Sequence, residues 1–210
     1  MSISTKTAAV ASPVFCTATA KFAQDTLPQT LFTNVHVFDG VKEARIENAS
    51  VLVEGNLIKE VTTEAIDAPG ATVVDGGGRT LMPGLIDSHV RLNLTGLFTS
   101  FGGAEYANWD GVGSMAVANA RDYLIDGYTT VRDSCGQGDA MKKLIDQDIL
   151  VGPRIYSSGA CIGPQSGHTD WRSPRAQAEG GPVAQVEELN LAVFADRVDE
   201  VSTAARRNLS

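Results

Sequence analysis

Residues 81–91, LMPGLIDSHVR, contain the pattern that decides the fold. The stretch is apolar until Asp87 and His89, which stand two residues apart near its end. Side chains two apart on a strand lie on one face, and barrels of parallel strands carry their ligands at the carboxyl ends of the strands. We therefore predict a buried apolar strand, interrupted at Pro83-Gly84, with Asp87 and His89 on one face of its end. Taken alone, such a histidine is more often structural than a metal ligand.

The sequence after this stretch alternates between strand and helix patterns. Strands are predicted at 128–133 and 154–162, and apolar residues at helical spacing predict helices at 112–125 and 139–148. A Gly/Pro/Ser-rich segment at 166–183 is typical of a loop, and 189–209 has a helical pattern. Strands that alternate with helices predict a parallel sheet.

The sequence before this stretch predicts a small antiparallel β unit. Four β-rich segments are separated by turn residues such as Asp39-Gly40 and Gly55-Asn56, and they cover 31–38, 49–54, 57–62 and 72–75. The glycines at 76–78 are not followed by the Gly-Lys-Ser/Thr of a phosphate loop, so we predict a flexible connection there.

Three blocks of sequence, in order, resemble one family. They are LMPGLIDSHV at 81–90, DGYTTVRDSCG at 126–136 and GPRIYSSGACIGPQSGHTD at 152–170. Together they resemble the start of the amidohydrolase superfamily barrel. The branch is the imidazolonepropionase-like and Xaa-Pro dipeptidase-like one, which also includes an ochratoxin-hydrolysing amidase. The resemblance covers roughly residues 31–210.

The resemblance implies an α/β fold, a (β/α)8 TIM barrel with a small β-sandwich. In this chain we expect an incomplete barrel of about three βα units. The implied organisation is a disordered or tail segment at 1–29, part of the β-sandwich at 30–79, and the N-terminal part of the barrel at 80–210.

The resemblance also implies metal chemistry at the barrel mouth. Divalent cations, with zinc as the expected metal, generate hydroxide and polarise the carbonyl of an amide or peptide-like small molecule. In the family the first strand ends His-x-His, so His89 is the expected metal ligand. A carbamate-bearing lysine, two further histidines and an aspartate have no counterpart here, and we assign no catalytic residue.

Arg91 departs from the family pattern, because the motif here is His89-Val90-Arg91. A guanidinium has no lone pair to offer a cation, so a metal ligand is missing. Either the site has decayed, or Arg91 has been recruited to bind an anionic substrate. The sequence favours decay, since no other basic residue in the surrounding stretch is positioned to share an anion.

Two other polar features carry alternatives. His168, in the SGHTD loop, is either a loop residue without a role or a substrate-binding residue, as the family's SGHGD block implies. Arg132 and Asp133, which close the strand at 128–133, form either a structural pair or part of the mouth. His36 alternates with valines in the β unit and is interpreted as structural.

Composition and cysteine usage exclude several classes of function. A net charge of −8 argues against binding to nucleic acid, and scattered Lys and Arg argue against a membrane surface. The three cysteines, Cys16, Cys135 and Cys161, match neither a disulfide framework nor a zinc spacing, so we predict a cytoplasmic location. Cys135 and Cys161 are predicted to be buried thiols. The first residues fit a disordered tail better than a weak export signal.

Two hypotheses for the function remain. The chain is the N-terminal portion of a metal-dependent amidohydrolase that acts on a small-molecule amide, dipeptide or N-acyl amino acid, and is inactive alone. Alternatively, it is a non-catalytic binding or subunit protein that keeps the start of the barrel. A complementary chain or a homo-oligomer is the expected macromolecular partner.

Overall fold

The computed structural model describes residues 27–96, 108–136, 138–172 and 185–209. The chain forms two compact units, residues 1–82 and 83–210. The tail predicted at 1–29 lies outside the described residues except for its last three, and Gln29 already begins a strand. Within the described ranges, no helix is long and apolar enough to cross a membrane.

The first unit contains one four-stranded sheet in the order β3-β2-β1-β4. β1 pairs antiparallel with β2, and β2 with β3, as the turn residues predict, whereas β4 runs parallel to β1. The sheet is therefore mixed rather than wholly antiparallel. Leu31, Val35, Val51 and Leu52 are buried in this unit. The strands are β1 (Gln29–Val37), β2 (Ile46–Glu54), β3 (Leu57–Thr62) and β4 (Thr72–Leu81).

The glycines at 76–78 lie inside β4, so the prediction of a flexible connection is wrong. The ladder with β1 shifts register between Thr33 and Val35, where β4 contributes extra residues. Gly77 and Gly78 adopt φ of 60° and 75°, which favours glycine. A Cβ on Gly76 would lie 2.2 Å from the Val35 Cγ1 atom, so this position needs a residue without a side chain.

The second unit contains a parallel three-stranded sheet in the order β5-β6-β7 and a parallel pair, β8-β9. Helices follow β5 and β6, in agreement with the predicted alternation of strands and helices. The strands are β5 (Leu85–Val90), β6 (Tyr128–Asp133), β7 (Arg154–Ser157), β8 (Cys161–Gly163) and β9 (Ala192–Phe194). The helices are α1 (Trp109–Ile125), α2 (Asp139–Asp146), α3 (Gln185–Glu188) and α4 (Val198–Asn208).

Two elements of this unit differ from the sequence patterns. The strand predicted at 154–162 is divided into β7 and β8, because the chain turns at Gly159 with a φ of 76°. The helix predicted at 189–209 begins only at Val198. Leu189 and Leu191 are buried, and Ala192–Phe194 pairs with β8, so a distant strand overrides the local helical pattern.

The two faces of the β5-β6-β7 sheet differ in what covers them. Val90, Val131 and Ile155 pack with Ala116 and Ala120 of α1 in one core cluster, which also contains Met141 of α2. On the opposite face, side chains are exposed, as Ile86 (72%) and Tyr156 (56%) show. β5 is exposed along most of its length, so the prediction of a buried strand does not hold in the described structure.

Candidate functional site

Three polar side chains lie side by side at the carboxyl ends of β5, β6 and β7. Asp87 pairs with Val131 and Val90 with Asp133, so Ser88 and His89 both lie opposite Arg132 across a register shift, and Arg132 pairs directly with Tyr156. All three side chains are exposed, while Val90, Val131, Asp133 and Ile155, which alternate with them, are buried on the helix side. Neighbouring strands are about 4.8 Å apart. We call His89, Arg132 and Tyr156 the strand-end row.

Asp87 is not on the face of the strand-end row. It pairs with Val131, whose side chain is fully buried on the helix side, and the register shifts between Asp87 and Val90. Burial and, after it, the Asp87 carboxylate raise the pKa of Tyr123 on α1, which places this charge near that helix. The prediction that Asp87 and His89 share a face is therefore wrong, because an irregularity in the ladder interrupts the alternation.

Arg91 is the first residue after β5 and is half-buried. Its carbonyl oxygen accepts hydrogen bonds from the backbone of Leu94 (3.2 Å) and Thr95 (3.0 Å), so it opens a turn. Decay of the metal site at Arg91 was favoured because no other basic residue in the surrounding stretch of sequence was positioned to share an anion. Arg132 stands on the neighbouring strand, one residue before the end of β6. The choice between decay and recruitment of Arg91 stays a prediction.

His168 lies exposed in the loop that follows β8 and is not part of the strand-end row. Arg172 binds the Asp170 carboxylate with two hydrogen bonds of 2.6 and 2.7 Å, and its guanidinium lies 4.0 Å from the centre of the Phe194 ring. The Arg172 guanidinium is the main cause that holds the pKa of Asp170 at about 2. These contacts fix the loop around His168, and sequence reasoning missed both Asp170 and Arg172.

Asp133 is a buried carboxylate at the end of β6. Its side chain is fully buried, and its Oδ1 atom accepts a hydrogen bond from the backbone N–H of Leu92 at 3.1 Å. Oδ2 has no hydrogen-bond partner within the described structure. Burial raises the pKa of Asp133 to about 6, and the nearby charge of Asp139 adds to this effect. The possible structural pair of Arg132 and Asp133 is not formed, because the two side chains are on opposite faces of β6.

Cys135 and Cys161 form a disulfide with Cα atoms 4.9 Å apart, so the prediction of two separate thiols is wrong. The Gly136 N–H donates a hydrogen bond of 3.0 Å to the Gly159 carbonyl and brings the two segments together. A sequence separation of 26 residues gave no signal of this proximity. The cytoplasmic location was predicted from cysteines without a disulfide, and the Cys135–Cys161 bond removes that reason. The location itself stays a prediction.

The described residues do not form a metal centre. Within the described ranges, no three His, Cys, Asp or Glu side chains are grouped to hold an ion. His89 is one exposed imidazole, and its neighbour Arg132 brings a positive charge and no lone pair. The third histidine, His36, contacts Glu47 at 2.5 Å within the first unit. The part of the chain that the structure describes therefore offers a single candidate donor at the strand-end row, His89.

Comparison with known proteins gives a consistent set of relatives, although no family model matches the chain. The chain is 32% identical to an ochratoxinase from Aspergillus niger over 139 residues, which are 60% of this chain and 27% of that protein. A crystal structure of a prolidase complexed with N-methylphosphonate-L-proline matches 86% of this chain, with a TM-score of 0.72 and 26% identity. A crystal structure of an amidohydrolase matches the same share, with a TM-score of 0.67 and 31% identity.

The homologues of this chain are thus members of the amidohydrolase superfamily. Within it, they represent the ochratoxin amidase-like and Xaa-Pro dipeptidase-like branches that the sequence blocks indicated. The match is partial, since the chain spans 27% of the ochratoxinase and 44% of the prolidase chain.

Proposed function

We propose that the chain is the N-terminal portion of an amidohydrolase that hydrolyses an amide bond in a small molecule, dipeptide or N-acyl amino acid. The observation that carries this proposal is the structural match to a prolidase over 86% of the chain. The position of His89 at the carboxyl end of a parallel strand supports it, because this end of such sheets carries the active sites of barrel enzymes.

The architecture proposed for this enzyme is a (β/α)8 barrel, of which this chain supplies about three βα units after part of a β-sandwich. The parallel β5-β6-β7 sheet with α1 and α2 between its strands supports the barrel units. The four-stranded sheet of the first unit supports one layer of the sandwich.

The residue roles proposed for the site follow from position and chemistry. His89 is the metal ligand, with zinc as the expected ion, and Arg91 and His168 contact the substrate. A metal-bound hydroxide needs an assembled set of ligands, and the described residues supply one. We therefore propose that this chain alone does not turn over substrate.

A hydrolysis assay of the purified chain tests this proposal. We expect no release of product from Xaa-Pro dipeptides or N-acyl amino acids, with or without added zinc. Turnover that a chelator and the His89→Ala change both abolish would show that the chain is a complete enzyme. The same assay after addition of a polypeptide carrying the missing strands tests the parent activity, which we expect to appear.

The second candidate function is that of a non-catalytic binding protein or subunit. The arrangement of Arg132 beside His89 favours it, since a guanidinium next to the expected metal ligand repels a cation. Ligand binding without turnover, even in the presence of the missing strands, would identify this function. A second chain that copurifies at equal stoichiometry, or a homo-oligomer in sedimentation, would identify the proposed macromolecular partner.

A further inference from the structure

We propose that Arg132, flanked by His89 and Tyr156, binds the carboxylate group of a small-molecule ligand. This inference rests on the proposed function. In an amidohydrolase, a carboxylate-binding Arg132 would select dipeptides and N-acyl amino acids over neutral amides as substrates. The binding step itself needs no metal and no turnover, so it can be tested on the chain as it stands.

The exposed face of the β5-β6-β7 sheet carries positive charge. Thr130 pairs with Arg154, so Arg154 lies on the same face as Arg132, one layer below the strand-end row. β5, β6 and β7 contain two carboxylates, Asp87 and Asp133, and neither is on this face. The face is therefore cationic in a chain whose net charge is −8, and it attracts an anion from solution.

The strand-end row presents several hydrogen-bond donors on neighbouring strands. A guanidinium presents N–H groups in a fork that matches the two oxygens of a carboxylate. Among the described residues, no ion pair occupies Arg132. The Tyr156 hydroxyl is an additional donor one strand away, and the His89 imidazole flanks the guanidinium on the other side. A carboxylate can thus contact more than one side chain of the row.

The backbone that carries the strand-end row is packed against the helices on its reverse face. Val90, Val131, Asp133 and Ile155 are fully buried on the reverse face, so Arg132 is held between two packed neighbours, while His89 precedes one and Tyr156 follows one. The Leu92 N–H bond to Asp133 further joins the end of β5 to the end of β6. Donors on strands keep their spacing better than donors on loops, which lowers the entropic cost of binding a ligand.

The experiment is an NMR titration of the 210-residue chain with N-acetyl-L-proline and, separately, with N-acetyl-L-proline amide at constant ionic strength. The two compounds differ in the carboxylate, so we expect the acid to bind about tenfold or more tightly than the amide. Arg132→Gln should remove this preference, and Arg132→Lys should restore part of it, because lysine keeps the charge but not the fork. Tyr156→Phe should weaken binding of the acid by a smaller factor.

Arg121→Gln is the matched control, since Arg121 is an exposed arginine on α1, away from the strand-end row. We expect it to leave both affinities unchanged. Equal binding of the acid and the amide, the absence of binding by the acid, or unchanged binding in Arg132→Gln would each overturn the inference. A carboxylate preference that persists when the completed barrel shows no hydrolysis would retain the inference and reject the proposed function. If the completed barrel hydrolysed neutral amides as efficiently as it hydrolyses N-acyl amino acids, the inference would be rejected and the proposed function retained.

Discussion

At the scale of single residues, Asp133 is the most deeply buried polar residue in the part of the chain that the structure describes. Its carboxylate is fully buried, accepts the Leu92 N–H through one oxygen and leaves the other without a partner in the described structure. Such a group costs free energy in its charged form, because burial removes the charge from the high-dielectric solvent. Burial accordingly raises its pKa to about 6 from 3.8.

The raised pKa of Asp133 predicts how stability changes with pH. The folded state keeps this proton between about 4 and 6 while the unfolded state loses it, so the free energy of unfolding falls as pH rises through that window. At roughly 1.4 kcal/mol per pKa unit, the fall attributable to Asp133 is about 3 kcal/mol. Asp133→Asn keeps an acceptor for Leu92 and removes the charge, so it should flatten this slope and raise stability at pH 8.

Urea unfolding at several pH values between about 4 and 8 measures this effect. Asp122→Asn is the control, because Asp122 is an exposed carboxylate on α1. We expect the control to keep the wild-type slope. If the free energy of unfolding changed with pH equally in the wild type and in Asp133→Asn, the pKa of Asp133 would not be raised in the folded state.

Arg132 shows what a sequence can and cannot indicate about a site. Its alternation with Val131 and Asp133 is visible in the sequence, so its exposed face could be predicted from period-two patterning. Its neighbours His89 and Tyr156 come from strands that are 43 residues before it and 24 after it (132−89 and 156−132). Register between distant strands is a tertiary property, so the row could not be predicted from local pattern.

At the scale of elements, the strands that pair locally were predictable and those that pair over long distances were not. Alternation and turn residues located β1 to β3, and apolar periodicity located α1. The β8-β9 pair joins residues about 30 apart (192−161), and its formation replaces a helical pattern. The β-bulge in β4, where it pairs with β1, was also missed. The glycines at 76–78 have the sequence pattern of a linker, so a flexible connection was predicted there.

The close approach of β4 to β1 predicts a specific sensitivity at Gly76. In Gly76→Ala, the new Cβ would lie 2.2 Å from Val35 Cγ1 and 3.1 Å from the Asn34 carbonyl oxygen. Val35 is buried and cannot move freely, so the change should destabilise the first unit by about 1–3 kcal/mol. Hydrogen exchange of the β1 amides measures this unit separately from the second.

Gly113→Ala is the matched control for this glycine. Gly113 lies within α1, and a Cβ there meets no atom within 4 Å. Alanine has the higher helix propensity, so this change should be neutral or stabilise by up to about 1 kcal/mol. If Gly76→Ala were as harmless as Gly113→Ala, the two strands would have to be farther apart than the structure places them.

At the scale of the whole molecule, the chain is a homologue of enzymes that are more than twice as long as the part it matches. Its described residues contain one candidate ligand at the strand-end row, and the fold alone does not supply the others.

Metal content is the prediction that belongs to this scale. After dialysis, elemental analysis should find well under one zinc ion per chain, and His89→Ala should leave this value unchanged. Arg91→His adds a neutral donor two residues from His89 and should raise zinc affinity measured by calorimetry. One or more tightly held ions per chain in the wild type would contradict this, and would indicate ligands beyond those described.

The Cys135–Cys161 bond also changes the unfolded chain. It closes a covalent ring around α2 and β7, with ends separated by 26 residues. In a chain-entropy description, a ring of that size reduces the freedom of the unfolded state by about 3.5 kcal/mol. Because Cys135 follows β6 by two residues, β7 never diffuses far from the strand that it must pair with. When the chain refolds with this bond intact, the ring shortens the conformational search for the β6-β7 ladder and keeps Arg132 and Tyr156 of the strand-end row close together in the unfolded state.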